Sequence, residues 1–288
     1  MANFIIEDFK NAWNKENNGL IKIILINVIV FVSMSILEVF ITLSGLGESF
    51  NLFLNKLMLP ASLKVFIFQP WSIITYFFLH MNFMHILWNM LFLYWFGKII
   101  HDNIGNNAVI SLYIIGGIIG GLLYMALFNI IPFYDNRVSE SLMLGASAGV
   151  FSVVVGSATL LPNYTFYLLF LGPVRIKYIA LFYVLLSFFD VTGSNAGGEI
   201  AHLGGALMGY LYISQLQNGV NMGKGVIDIL NIFKKNKKKF GSKKEEKNEI
   251  KKDVSQDEID KILDKISDSG YASLSKNEKE KLFKASKK

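Results

Sequence analysis

The octapeptide LGASAGVF at residues 144–151 places a serine, Ser147, among small residues at the start of a long apolar run. Residues 148–161 carry no charge, and Pro162 ends the run. As a helix, this segment has about 15 residues and a length of about 22 Å. A bilayer core is about 30 Å thick and takes about 20 helical residues to cross. The shortness of the helix predicts that its first residue lies below the membrane surface.

A serine at such a position has two interpretations. A lone serine more often caps a helix or permits close helix packing. The histidines favour a chemical role, because three of the four in the chain, His80, His85 and His202, lie in apolar segments. Ionisable residues inside a membrane are costly and commonly functional. The combination indicates nucleophilic catalysis within the bilayer.

The composition excludes an ordinary soluble domain. Hydrophobic residues make up 52% of the 288 residues, and the mean hydropathy is +0.42. Because the chain has no cysteine, it has no disulfide, no thiolate nucleophile and no cysteine metal site. The first apolar block, residues 21–43, is too long for a signal-peptide core and lacks a small-residue cleavage site. We therefore expect it to be a retained first span.

Positive charge is concentrated towards the C-terminus. Residues 223–288 contain 19 Lys and 12 Asp or Glu, a net charge of +7, whereas residues 1–222 have a net charge of −1. A basic stretch directly after a membrane span is typical of a cytoplasmic anchor that faces anionic lipid. We therefore predict contact with the lipid bilayer and no binding of nucleic acid.

The apolar segments predict an all-α membrane protein with six transmembrane helices, of which the short, central fourth helix carries Ser147. The predicted spans are residues 20–43, 82–100, 107–131, 146–161, 176–191 and 199–217. Asn82 is the predicted N-cap of the second span. Lysine and arginine are more numerous on the side of the two termini, which predicts a multi-pass protein of the cell membrane with both termini in the cytoplasm.

Four regions follow from these boundaries: residues 1–19, a cytoplasmic or interfacial segment; 20–217, the six-span domain; 218–254, a basic linker; and 255–288, a small helical extension. The connection at residues 44–69 is too broken by polar residues to be a span and is expected to lie partly at the membrane interface. Two capping-box patterns, Ser255 with Glu258 and Ser275 with Glu278, predict a helical hairpin in the extension.

The sixth span contains a candidate general base. His202 is followed at three and seven residues by Gly205 and Gly209, a glycine stripe that permits close approach to another helix. Packed against the fourth span, the imidazole would reach Ser147 and accept its proton. The alternative is a structural histidine bonded to a backbone carbonyl. Phe151, on the same helix face as Ser147, either stacks on the imidazole or packs in the core.

A second cluster lies at the start of the second span. His85 and Asn89 are four residues apart, share a helix face and can donate hydrogen bonds to an oxyanion. His80 precedes the helix and is expected to brace the loop before it. A zinc site is the rival interpretation. The His-Glu-x-x-His pattern of membrane metalloproteases is absent, so we predict no metal and no cofactor. His101, at the opposite end of this span, is expected at the surface.

Together these motifs resemble those of the rhomboid family of intramembrane serine proteases. The matching residues are Gly145 and Ser147 in a Gly-x-Ser motif, His202 with Gly205 and Gly209 in a last-helix histidine motif, and His80, His85 and Asn89 in a His-x4-His-x3-Asn motif. The resemblance covers residues 71–217 and implies a six-helix rhomboid-like bundle. Residues 257–288 resemble a short cytoplasmic extension on some bacterial rhomboid-like proteins.

The resemblance also implies roles for single residues. Ser147 would be the nucleophile and His202 the general base, without an acidic third residue. The oxyanion and supporting residues that it implies are His85, Asn89, Gly145, Phe151 and His80. The implied substrates are transmembrane segments of other membrane proteins.

Three positions depart from the family pattern. Ala148 follows the serine where many members have glycine, Trp71-Ser72 replaces a first-loop Trp-Arg pair, and His101-Asp102 replaces a glutamate. We expect these changes to affect loop anchoring and stability more than chemistry.

The main alternative function is that of a non-catalytic rhomboid-like protein that binds or escorts membrane clients. A third, a small transporter, predicts a broken helix or inverted repeats, and no repeat is seen. No pattern specifies an oligomeric state.

Overall fold

A computed structural model of the chain describes residues 7, 10–15, 17–229, 231–232, 256–269 and 271–285. The chain is mostly helical and divides into two compact units, Met1–Asn231 and Ile232–Lys288. The densest part of the predicted basic linker, residues 233–240, lies outside the described residues, as does Ser255 of the first predicted capping box.

Each predicted apolar segment of the first unit forms a single helix. In chain order, the helices of this unit are α1 (Gly19–Leu43), α2 (Gly47–Leu57), α3 (Leu63–Phe66), α4 (Ser72–Thr75), α5 (Phe83–Asn103), α6 (Asn106–Ile130), α7 (Ser147–Leu160), α8 (Ile176–Phe189) and α9 (Ala196–Gln217). Short helical stretches also cover residues 10–14 and 224–229. The predicted cap of α5 is confirmed, because the Asn82 Oδ1 accepts a hydrogen bond of 2.9 Å from the backbone N–H of His85.

Three of the described helices, α1, α5 and α6, are long and apolar enough to cross a membrane. Helices α7 and α8 are also apolar but have only 14 residues each, which corresponds to about 21 Å. Large apolar side chains cover the outer surfaces of α1 and α8, for example Phe40, Phe182 and Phe189. An exposed surface of this kind is suited to lipid, so these helices are those of a membrane protein.

Helix α7 lies inside the bundle, where it packs against α5, α6, α8 and α9. Glycines bring its neighbours close, because a Cβ atom at Gly205 or Gly209 of α9 would overlap with a backbone carbonyl oxygen of α7. On α6, a Cβ atom at Gly120 would lie 2.5 Å from the carbonyl oxygen of Ala201. The predicted close packing by the Gly205 and Gly209 stripe is confirmed, and it sets α9 directly against α7.

A buried polar chain ties α1 to α6. Nδ2 of Asn27 donates to the hydroxyl oxygen of Tyr113 at 3.0 Å, and the Tyr113 hydroxyl donates to the carbonyl oxygen of Phe77 at 2.7 Å. Asn27 and Tyr113 are fully buried. Because a buried polar group is costly unless it is paired, these bonds fix how α1 faces the rest of the bundle.

Two short antiparallel sheets complete the first unit. They pair β1 (Leu59–Pro60) with β2 (Leu142–Met143), and β3 (Thr165–Leu168) with β4 (Gly172–Arg175). Two 3-10 helices cover Tyr76–Phe78 and Pro132–Arg137. The connection at residues 44–69 is thus largely structured, and its β1 strand holds the segment that leads into α7.

The second unit contains the predicted helical hairpin. It consists of α10 (Gln256–Ser269), a 3-10 turn at Tyr271–Ser273 and α11 (Lys276–Ala285). The capping box at α11 is confirmed, because the backbone N–H of Ser275 donates to Oε2 of Glu278 at 2.7 Å and the Glu278 N–H donates to Oγ of Ser275 at 3.4 Å. Lys265 on α10 adds an ion pair to Glu278 at 3.0 Å.

Candidate active site

Ser147 is the first residue of α7. The chain reaches it through Gly145, whose φ of +130° is strained for any residue with a side chain. The Gly145 N–H donates to the carbonyl oxygen of Tyr76 at 3.0 Å, which anchors this turn to the 3-10 helix. At the N-terminus of α7, backbone N–H groups without a helical partner lie close to the serine, at the positive end of the helix dipole.

His202 of α9 lies within hydrogen-bond distance of Ser147. Its Nε2 atom is 2.7 Å from the serine Oγ. The close packing of α9 on α7 accounts for this distance, because Gly205 lies one turn after His202 and lets the two backbones meet. The structure therefore brings together the two residues that the sequence singles out as base and nucleophile.

Phe151 stacks on the imidazole. The ring centroids of Phe151 and His202 are 4.2 Å apart and the rings are inclined by 8°. Tyr183 of α8 packs edge-on against Phe151, with centroids 6.3 Å apart. The stacked ring limits rotation of the imidazole, so of the two predicted positions for Phe151 the structure has the stacked one.

His85 and Asn89 lie on the α5 face that borders Ser147. The Met81 N–H donates to His85 Nδ1 at 3.5 Å, which assigns the proton of a neutral ring to Nε2. A Cβ atom at Gly145 would be 2.9 Å from that Nε2, so the N–H points at the turn before the serine. Asn89 donates one amide hydrogen to the carbonyl oxygen of His85 at 2.9 Å, and among the described residues its second amide hydrogen has no acceptor. Both residues can donate to an oxyanion here.

His80 packs behind His85. Their ring centroids are 5.1 Å apart and the rings are inclined by 71°. In the part of the chain that the structure describes, neither ring nitrogen of His80 has a hydrogen-bond partner. His101 lies far along α5, where its Nδ1 is 2.9 Å from Oδ1 of Asp102 and its Nε2 is 3.2 Å from the carbonyl oxygen of Asn17.

A cavity of about 690 Å³ opens beside the serine, between α5, α7, α8 and α9. Its apolar lining includes Trp88, Phe92, Val154 and Tyr183. Its polar lining consists of Asn82, His85, Asn89, Ser147, Asn195 and His202. The apolar part can hold an apolar peptide segment, and the serine hydroxyl is among the polar groups of the same cavity.

Two residues at the site, Glu199 and Ser187, were not found by the sequence reasoning. The resemblance implies no acidic third residue, yet Oε2 of Glu199 lies 3.1 Å from His202 Nδ1, so a carboxylate does lie beside the predicted base. Glu199 is three residues before His202 in one helix, and residues at this spacing are neighbours on a helix surface. The spacing is a signal that could have identified it. Ser187 of α8, whose Oγ also lies 3.1 Å from Nδ1, has no such signal.

Comparisons with known proteins agree with this architecture. Residues 68–217, which include all of these site residues, match the Rhomboid domain. Residues 242–288 match DUF6576, a family of unknown function. The chain is 28% identical over 158 residues to "RHOMBOID-like protein 12, mitochondrial" of Arabidopsis thaliana, a match that covers 51% of this chain and 47% of that protein. The chain thus spans about half the length of this curated relative.

Proposed function

The chain belongs to the rhomboid family, and on this premise we propose that it is an intramembrane serine endopeptidase that cleaves transmembrane segments of other membrane proteins. The observation that carries the proposal is the 2.7 Å contact between His202 Nε2 and Ser147 Oγ, beside a cavity that both residues line. A serine activated by a hydrogen-bonded imidazole is the arrangement that nucleophilic acyl transfer requires.

The reaction follows from this geometry. Nε2 of His202 takes the hydroxyl proton as Oγ of Ser147 attacks the carbonyl carbon of the scissile peptide bond. The resulting oxyanion accepts hydrogen bonds from the backbone N–H of Ser147, His85 Nε2 and Asn89 Nδ2. The C–N bond then breaks and the imidazolium gives its proton to the leaving amine, which leaves an acyl group on the serine.

A water molecule completes the cycle. It attacks the acyl carbonyl carbon while His202 accepts its proton, and the bond to the serine Oγ then breaks. The proton returns to Oγ, and the product leaves as a carboxylic acid that ionises to the carboxylate by giving its proton to water. No metal ion or cofactor enters these steps, so the proposed activity is insensitive to chelators.

The membrane arrangement belongs to the same proposal. Helices α7, α8 and α9 cross together with α1, α5 and α6, which gives six spans with both termini in the cytoplasm. The arrangement is supported by the basic residues on the side of the termini. Ser147 and His202 then lie towards the outer face of the cell membrane, and the basic residues 218–254 contact anionic lipid.

The substrate class follows from the position of the nucleophile. A peptide bond in an intact helix is shielded by its neighbouring turns, so the substrate must unwind before it reaches Ser147. Segments with small or helix-breaking residues are therefore the preferred substrates. The apolar cavity lining, with Trp88, Phe92 and Val154, suits the side chains of such a segment.

The test uses the full-length protein in liposomes with a single-span reporter whose helix contains Gly and Pro. Cleavage is measured by gel and mass spectrometry for the wild type, Ser147→Ala and His202→Ala, with and without a chelator. Ser152→Ala is the matched control, because Ser152 lies on the same helix but is buried away from the cavity. We expect cleavage by the wild type and the control, with or without chelator, and none by the other two variants.

Two outcomes contradict the proposal. Cleavage that persists in Ser147→Ala would mean that another nucleophile acts. Tight reporter binding without cleavage by the wild type, over several reporters, would favour the client-binding alternative.

A further inference from the structure

Glu199 lies against the side of the imidazole that faces away from the serine. Its Oε2 is 3.1 Å from His202 Nδ1, while Nε2 of the same ring is 2.7 Å from Ser147 Oγ. Only 15% of each of the Glu199 and His202 side chains is exposed. Carboxylate, imidazole and hydroxyl therefore follow one another, and the carboxylate and the imidazole are both largely buried.

The carboxylate is held where it is by its own contacts. Asn195 Nδ2 donates to Oε1 of Glu199 at 3.2 Å, which leaves Oε2 free to face the imidazole. Glu199 lies in the first turn of α9, where the helix dipole stabilises a negative charge. Because Glu199 and His202 share one helix, their distance does not depend on how the helices pack.

A carboxylate at this position decides which imidazole nitrogen carries the proton. Nδ1–H donates to a negatively charged oxygen more strongly than to a neutral hydroxyl, so it prefers Glu199 to the Ser187 Oγ at the same distance. With the proton on Nδ1, the lone pair of Nε2 faces the serine hydroxyl. The negative charge also stabilises the imidazolium that forms as the serine attacks.

We propose that Glu199 is a positioning residue that accepts the Nδ1–H of His202 and completes a Ser147–His202–Glu199 triad. The inference rests on the proposed function, since it concerns the same reaction. Glu199 touches neither the substrate nor the reacting atoms, and it acts through His202. Besides His202, the titratable side chains that line the cavity are His85 on α5 and Tyr183 on α8.

The test compares variants of Glu199 in the full-length protein in liposomes. Glu199→Gln keeps the shape of the side chain and removes its charge, while Glu199→Asp keeps the charge. We expect Glu199→Gln to lower kcat by roughly 100-fold, with KM within about twofold of the wild type. Glu199→Asp should retain clearly more kcat than Glu199→Gln.

A second readout is independent of substrate binding. The rate at which a fluorophosphonate labels Ser147 should fall in parallel with kcat. Glu140→Gln, which removes a carboxylate from an exposed loop, is the matched control and should keep the wild-type rates. Ser187→Ala leaves the carboxylate in place and should lose less kcat than Glu199→Gln.

The outcomes separate this inference from the function on which it rests. If the wild type cleaves and Ser147→Ala does not, but Glu199→Gln keeps the wild-type kcat, only the role of Glu199 is wrong. The role is also wrong if Ser187→Ala loses as much kcat as Glu199→Gln, or if the loss only follows a lowered melting temperature. If the fluorophosphonate does not label the wild type and the wild type cleaves no reporter, the proposed function itself fails.

Discussion

At the scale of single residues, the site depends on the backbone at Gly145. Its φ is +130°, and a Cβ atom added there would lie 2.9 Å from His85 Nε2, so the position has room for glycine alone. We predict that Gly145→Ala lowers the cleavage rate by at least about 10-fold, because His85 must move out of hydrogen-bond reach of the oxyanion. The left-handed backbone should also cost roughly 1–2 kcal/mol of stability.

The measurement combines initial cleavage rates in liposomes with thermal unfolding. Gly105→Ala is the control, because Gly105 has a similar φ of +110° with open space around it. It should show the backbone cost without loss of activity. A wild-type rate for Gly145→Ala would contradict the argument.

At this same scale, the sequence predicts which residues meet but not how they are oriented. Ser147 and Phe151 share a helix face by their spacing, and the glycines after His202 indicate a close helix contact. The two nitrogens of the imidazole are not distinguished by any pattern. The contact of Nε2 with Ser147 follows from the rotation of α9 against α7, which only the packed bundle fixes. Glu199, by contrast, is a neighbour of His202 within α9 by its spacing.

At the scale of the elements, the contact between α7 and α9 is made by glycine. We predict that Gly205→Ala costs roughly 1–3 kcal/mol, because its Cβ would overlap with the carbonyl oxygen of Ala148 and force the helices apart. Since His202 moves with α9, cleavage should fall by at least about 10-fold. Denaturation in detergent and the reporter assay measure the two effects. Gly225→Ala, with open space around the new methyl group, should leave both unchanged.

The capping box of α11 predicts a pH dependence. Hydrogen bonds from the backbone N–H and the hydroxyl of Ser275, together with Lys265, lower the pKa of Glu278 from 4.5 to about 2. A lowered pKa in the folded state means that this group stabilises α11 fully above pH 4.5 and loses its effect as the pH falls towards 2. Side-chain carboxylate NMR of the glutamate-labelled full-length chain should show this titration, with Glu278→Gln as the assignment control. A Glu278 signal that titrates near pH 4.5 would contradict the prediction.

The elements also divide into those that a local pattern predicts and those that it does not. The cap at Asn82 and the box at Ser275 are local signals, and both are confirmed. The β1–β2 pair joins Leu59 to Met143, which are 84 residues apart. Hydrophobic periodicity is a local signal, so the ordered connection at residues 44–69 could not be predicted from it.

At the scale of the whole molecule, the proposed chemistry requires a definite topology. A short α7 holds Ser147 below one membrane surface only if its N-terminal end and that of α9 lie at the same face of the bilayer. An even number of crossings between these two ends satisfies this condition, and α7 with α8 provides it. The proposed six spans and the shared depth of Ser147 and His202 are thus one claim.

Because the chain has no cysteine, single cysteines can test that claim without background. The exposed positions Asn107, Ser139 and Leu169 lie in or beside three successive connections between the proposed spans, and the exposed Asn218 directly follows the last span. We predict that a membrane-impermeant maleimide labels only Ser139→Cys in intact cells, and all four variants after the membrane is dissolved. Labelling of the other three variants instead of Ser139→Cys would reverse the orientation. Labelling of Leu169→Cys together with Ser139→Cys would mean that α7 does not cross, and Ser147 would then lose the depth that an intramembrane protease needs.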